Sequence, residues 1–252
     1  MGKIVALTNQ KGGVGKTTTA VNLAAELNLL GKKVLLCDFD PQGNATSGLG
    51  IDQMSLKTTI YEVLMGEAEI KDAITKTEWA DVIGSNVNLA GAEIDLILME
   101  NREYRLRNSL NTLRDEYDYI IIDCPPSLGI LTINCLCAAD TFLVPLQCEY
   151  YALEGLTQLI NTIKSIQNKF NPEIKLEGII LTMFDRRTKL SMQVLEEVKT
   201  HFNKKVFQTV IPRNVRLSEA PSHGKPICAY DRLSKGAIAY GELAEEFIVK
   251  QV

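Results

Sequence analysis

Residues 3–40 constrain the fold more than any other part of the chain. KIVALTN (3–9) is an apolar, β-rich run that breaks into the glycine-rich QKGGVGK. TTTAVNLAAELNLLG (17–31) then places apolar residues at helical spacing and closes on Gly31, and KKVLLCDFD (32–40) is a second apolar run ending in two acids. A strand, a glycine loop, a helix and a second strand in so short a stretch form a βαβ unit, and a helical crossover makes its two strands parallel.

The same alternation continues. DYIIID (118–123), TFLVPLQ (141–147), KLEGIILTMF (175–184) and KKVFQTVIP (204–212) read as strands. Helical periodicity runs through 58–66, 93–113, 154–170, 189–202 and 236–252, and GILTINCLCAAD (129–140) begins as a helix. Pro125 and Pro126 forbid a helix directly after Asp123. The expected fold is α/β: a doubly wound, mainly parallel sheet with helices on both faces, of the P-loop NTPase type. At 252 residues, with 46% hydrophobic and 23% charged composition, a single domain over 1–252 is expected. In such sheets ligands bind beyond the carboxyl ends of the strands, where the glycine loop, the acids and the Pro-Pro turn all fall.

The N-terminus lacks the apolar core and small-residue cleavage site of a signal peptide, and no apolar run reaches the roughly 20 residues needed to span a bilayer. Gly2 is not followed by the Ser or Thr that myristoylation requires, since Ala6 stands there. A cytoplasmic protein is expected. Cys37, Cys124, Cys135, Cys137, Cys148 and Cys228 sit mostly in apolar runs, as reduced thiols do. Cys135 and Cys137 are two apart on a helix, about 200° around the axis, so they do not converge on a metal.

The loop carries the chemistry. Gly12, Gly13 and Gly15 let the backbone turn its N–H groups inward, and the helix that follows adds its positive end, which suits a di- or triphosphate. Lys16 would reach the β- and γ-phosphates, and the Thr17 hydroxyl would ligate Mg²⁺. A plain glycine turn would give no reason for a lysine followed by threonines. Asp123 ends a neighbouring strand, where a carboxylate can hold the ion directly or through water. Asp38 and Asp40 end another. An aspartate closing a strand is often only a turn former, but beside a phosphate loop Asp40 is a candidate to orient an attacking water.

KGGVGKTT with its early lysine, DFDPQGNATSGLG, IIDCPPSLG and IPRNVRLSEAPSHGKPI occur here in order. Together they resemble the ParA/Soj partition ATPases of the deviant Walker A class, over essentially the whole chain. The resemblance implies an ATP-sandwich homodimer in which Lys11 reaches the phosphates bound by the other copy, much as an arginine finger does. It implies ATP contacts from Lys11, Gly12, Gly13, Val14, Gly15, Lys16, Thr17 and Thr18, and adenine contacts from Pro212 and Asn214. It also implies a water-positioning Asp40, a Mg²⁺ site of Thr17 with Asp123 acting through water, and a Gly12 that permits close approach of two subunits. The partners implied are non-specific double-stranded DNA, touched by Arg187 and Arg216, and a ParB-like centromere-binding protein that stimulates hydrolysis. The location implied is the nucleoid.

The net charge is −4, yet residues 185–216 carry Arg186, Arg187, Lys189, Lys199, Lys204, Lys205, Arg213 and Arg216 against Asp185, Glu196 and Glu197, a local +5. Composition alone reads this equally well as a solvated basic face. MinD-like membrane-cycling ATPases are the alternative within the superfamily. They end in a basic amphipathic helix, whereas GELAEEFIVKQV is acidic, so no membrane binding is expected. Iron–sulfur carrier relatives would show a C-terminal C-x-x-C, which is absent, and no acceptor-substrate site of an amidoligase is discernible. The larger plasmid ATPases carry an operator-binding domain before the loop; here the loop begins by residue 10, so that activity is not expected. His223 and Trp79 read as structural.

Overall fold

Successive residues of β1 (Lys3–Leu7) face opposite ways: Ile4 and Ala6 enter one apolar cluster, Val5 and Leu7 the other. Strands buried on both faces are the mark of a parallel sheet sandwiched by helices. The computed structural model describes residues 2–250. After β1 come α1 (Lys16–Leu29), β2 (Val34–Asp38), α2 (Asn44–Gly48), α3 (Ile60–Met65), β3 (Ile74–Lys76), β4 (Asp81–Ile83), α4 (Ala92–Asp95) and α5 (Arg105–Asn111). The second half holds β5 (Tyr119–Asp123), α6 (Ile130–Ala138), β6 (Thr141–Gln147), α7 (Ala152–Lys169), β7 (Lys175–Thr182), α8 (Lys189–Phe202), α9 (Val215–Glu219), α10 (Ile227–Tyr230) and α11 (Lys235–Val249).

Among the described residues the sheet has seven strands in the order β3-β4-β2-β5-β1-β6-β7, all parallel except β3 against β4. Leu23 of α1 and Tyr240 and Leu243 of α11 cover one face; Leu131 of α6, Ile163 of α7 and Val194 of α8 cover the other. Register brings three strand ends level: Leu7 stands opposite Asp123, and Asp123 opposite Asp38. The doubly wound architecture expected from the alternation is therefore the one observed.

Two local expectations differ. Residues 204–212 do not form a continuous strand; they meet β7 and its end through isolated bridges, Ile179 with Val206 and Phe184 with Pro212, and through the Ile211 N–H, which donates to Leu181 O at 2.8 Å. The Gln208 and Thr209 N–H groups donate to the Glu246 carboxylate at 2.8 and 2.9 Å instead of to a ladder. The periodic stretch 93–113 is not one helix either. Met99 is extended and Asn101 is left-handed (φ 53°), which splits it into short turns before α5. The sequence pattern assigns no element to β3 and β4, which are three residues each and too short to show a period. His223 stacks on Tyr230 and Trp79 packs against the α1-side core, as structural residues do. Cys135 and Cys137 are both buried in α6.

Candidate active site

The glycine loop is shaped by its own sequence and pinned from both sides. Gly13 (φ 73°) and Gly15 (φ 92°) take the left-handed conformation that other residues resist. Gly12 is different: a Cβ there would meet nothing within 4 Å, so the chain's own packing makes no demand for glycine. Asn9 fixes the start of the loop, its Nδ2 donating to Pro145 O at 2.8 Å and its Oδ1 accepting from Lys11 N at 3.0 Å. Thr182, at the end of β7, donates its hydroxyl to Val14 O at 2.7 Å. Gly15 caps the 14-residue α1, so the first N–H groups of that helix face the loop.

Lys16 is buried and its Nζ donates to Lys11 O at 3.2 Å, curling over the loop. Burial pushes its pKa down, while Asp123, Cys124 and Asp40 favour the charged form. Thr17 is half-buried at the start of α1 and faces Asp123.

The acids divide by how they are satisfied. Asp38 is buried and accepts hydrogen bonds from Thr46 N (2.8 Å), Thr46 Oγ1 (2.7 Å) and Asp40 N (3.2 Å). Burial nonetheless lifts its pKa to about 6 against the pull of those bonds. Asp123 is also fully buried, but no described residue donates to either of its oxygens with hydrogen-bond geometry, and the Thr17 hydroxyl is the donor that stands beside it. Burial and the neighbouring Asp38 raise its pKa well above the ordinary carboxylate range; Thr17 and Lys16 oppose the rise. A buried carboxylate without partners, beside a hydroxyl and an ammonium, fits a site completed by a hydrated divalent cation. Asp40 is buried and accepts from Gln42 N at 2.9 Å, which holds it at the mouth of the same cluster.

Lys11 lies on the open side of the loop with 54% of its side chain exposed, ion-paired with Glu149. The two residues after Glu149, Tyr150 and Tyr151, are exposed and stack edge to face. A cavity of about 470 Å³ next to the loop is lined by Gly15, Thr18, Met183, Pro212, Asn214 and Tyr240, among others. Its rim is strained at Met183, a non-glycine residue at φ 50°. Asn214 caps α9 by accepting from Arg216 N at 2.8 Å, so its oxygen is committed to the backbone. Pro212 and Asn214, chosen on resemblance, thus line one cavity that adjoins the loop.

Arg187 and Arg216 are both exposed, and both are paired within the chain. Arg187 Nη2 lies 2.7 Å from Asp185 Oδ2, and this contact holds the Asp185 carboxyl at about 2. Arg216 lies 2.8 Å from Glu219 and 3.4 Å from Asp231. Arg187 shares a separate cavity of about 670 Å³ with Arg186, Arg213 and Lys235. Sequence reasoning missed Glu149, Thr182, Thr46 and Met183, whose importance depends on where the strands end relative to one another.

Comparison with known proteins places this geometry. A family model described as an AAA domain matches residues 2–176. The sporulation initiation inhibitor protein Soj of Bacillus subtilis is 58% identical over 248 residues, covering 98% of each chain. The chromosome partitioning protein ParA of Myxococcus xanthus is 55% identical, covering 98% of this chain and 88% of its own. Among solved structures, a protein described as cobyrinic acid a,c-diamide synthase of Mycobacterium smegmatis, with ADP and magnesium bound, superposes with TM-score 0.85 at 41% identity. That match covers 97% of this chain and 93% of the other. The cell division ATPase MinD of Pyrococcus furiosus gives TM-score 0.83 at 28% identity, covering 100% of both chains.

Proposed function

For a chain that belongs to the ParA/Soj family of chromosome-partition ATPases, we propose that residues 1–252 act as one ATPase domain hydrolysing ATP, with Mg²⁺, between two copies of itself. The observation that carries this is the unpartnered Asp123 carboxylate at the strand ends beside Thr17 and the glycine loop.

The loop N–H groups of Gly12, Gly13, Val14 and Gly15 and the start of α1 bind the phosphates, with Thr18 beside them. Lys16 uncurls from Lys11 O to meet the β- and γ-phosphates. Thr17 would hold Mg²⁺ by its hydroxyl and Asp123 would hold it through water, and the ion would offset phosphate charge. Pro212 and Asn214 flank the adenine, Asn214 through the amide N–H that its capping role leaves free. Asp40 orients the attacking water.

Lys11 completes the site from the other copy. Its pairing with Glu149 is an exposed contact, worth at most about 1 kcal/mol, so a partner's phosphate can displace it. Intrinsic turnover is weak, because a single copy lacks the second cation. The freedom around Gly12 keeps the approach to that lysine open.

The ATP dimer binds double-stranded DNA without sequence preference through Arg187, Arg216 and the basic stretch around them, and is released when a ParB-like partner stimulates hydrolysis. Bound to DNA in this way, the protein would sit on the nucleoid in the cytoplasm. Separately, no helix among the described residues is long and apolar enough to cross a membrane. Turnover measured with DNA, with the N-terminal peptide of a ParB-like protein, and with both should show strong stimulation only by the pair. Equal turnover in all conditions would refute the partition role.

A further inference from the structure

The first residue of β7, Lys175, lies at the opposite end of the sheet from Thr182, which pins the glycine loop, roughly 25 Å away along the strand. Beside Lys175 is a groove of about 420 Å³ between α7 and the end of α8. Its floor and walls are apolar: Phe142, Ile163 and Ile174 are buried, and Ile160, Leu176 and Phe202 are half-buried. Its charged rim is Lys164, Lys175 and Lys205, all exposed. Among the described residues no carboxylate lines it, in a chain whose net charge is −4. None of the three ammonium groups has an ion-pair partner among the described residues, although Lys3, Lys11, Lys71 and Lys250 all do.

The groove is preformed. Asn171, buried at the turn between α7 and β7, donates its amide to Leu136 O, Cys137 O and Ala139 O at 2.8, 3.3 and 2.8 Å. Gln167 adds a bond to Ile174 O at 2.9 Å. These contacts fix the wall that carries Ile174 and Lys175 before anything binds.

We propose that this groove is a binding site for a small anionic amphiphile, a medium-chain carboxylate whose tail lies on Phe142, Ile160, Ile163 and Ile174 and whose head meets Lys164, Lys175 and Lys205. The volume suits a small molecule, and the charge complementarity is one-sided: three unpaired cations round an apolar floor select an anionic head and repel a cationic one. The site is independent of the nucleotide chemistry.

The test is titration of the nucleotide-free protein with decanoate, followed by the methyl resonances of Ile160, Ile163, Ile174 and Leu176. Saturable shifts confined to those methyls are expected below the micelle concentration, with decyltrimethylammonium and decyl maltoside binding at least tenfold more weakly. Lys164→Gln with Lys205→Gln, surface changes that leave the core untouched, should weaken decanoate roughly tenfold, and Ile160→Glu should abolish binding. No saturable shift, or equal binding of the cationic amphiphile, would overturn the assignment. So would tighter binding of an acidic amphipathic Glu/Leu peptide, which would make the groove a protein-docking surface instead.

Discussion

Asp38 and Asp123 stand opposite each other in register on adjacent strands, both fully buried, yet among the described residues only Asp38 has side-chain oxygens met by donors in hydrogen-bond geometry. The fold uses one acid and leaves the other for a ligand. Asp38→Ala strands the Thr46 N–H and hydroxyl and should destabilise the nucleotide-free protein by about 1–3 kcal/mol. Asp123→Ala removes two unpartnered oxygens and should leave stability unchanged or raise it, while abolishing Mg²⁺-dependent nucleotide affinity. Urea midpoints of both variants decide the matter; equal losses would contradict this division of roles.

Lys16→Ala should abolish ATP-dependent dimerisation, because among the described residues no other buried cation overlies the loop. Asp40→Ala should instead give a stable ATP dimer that still binds DNA, since the residue acts on water rather than on nucleotide. Size-exclusion chromatography with ATP and Mg²⁺ separates the two, and a monomeric Asp40→Ala protein would remove Asp40 from its assigned role.

The loop glycines were legible because their job is local: Gly13 and Gly15 need a backbone conformation that their neighbours cannot supply. Asp123 was legible because an apolar run ending in an acid marks a strand end. Glu149 and Thr182 were not, because each matters only through a contact across the sheet, 138 and 168 residues from its partner. The misread strand at 204–212 has the same origin. Its apolar pattern is real, and the Phe207 and Ile211 N–H groups do reach β7, but a glutamate from α11 takes the Thr209 N–H between them, where a ladder would need it.

Arg187→Ala with Arg216→Ala should lose DNA binding and keep the ATP dimer, lowering the slope of log affinity against log salt by about two per subunit. The in-chain pairing adds a sharper test. Asp185→Asn releases Arg187 from its carboxylate and should tighten DNA roughly two- to fivefold at low salt. Unchanged affinity in both variants would move the DNA surface elsewhere.

Glu246 ties α11 to the chain beside β7. Burial alone would raise its carboxyl, but the Gln208 and Thr209 N–H donors outweigh burial and hold it below the usual range. Because the folded-state pKa is depressed, the stabilisation is present above the ordinary glutamate range and is lost as pH falls through the folded value. Glu246→Gln should flatten the acid limb of the stability profile and leave the neutral side parallel to wild type; an unaltered acid limb would refute the linkage.

The central claim is that Lys11 serves the other copy's ATP. Lys11→Ala and Asp40→Ala, each inactive alone, should recover ATP turnover when mixed with DNA and the ParB-like peptide. In the mixed dimer, the Lys11→Ala copy keeps Asp40 and receives Lys11 from its partner. Turnover that stays at background in the mixture, with mixed dimers verified by differential tagging, would show that Lys11 acts within its own chain and would contradict the account.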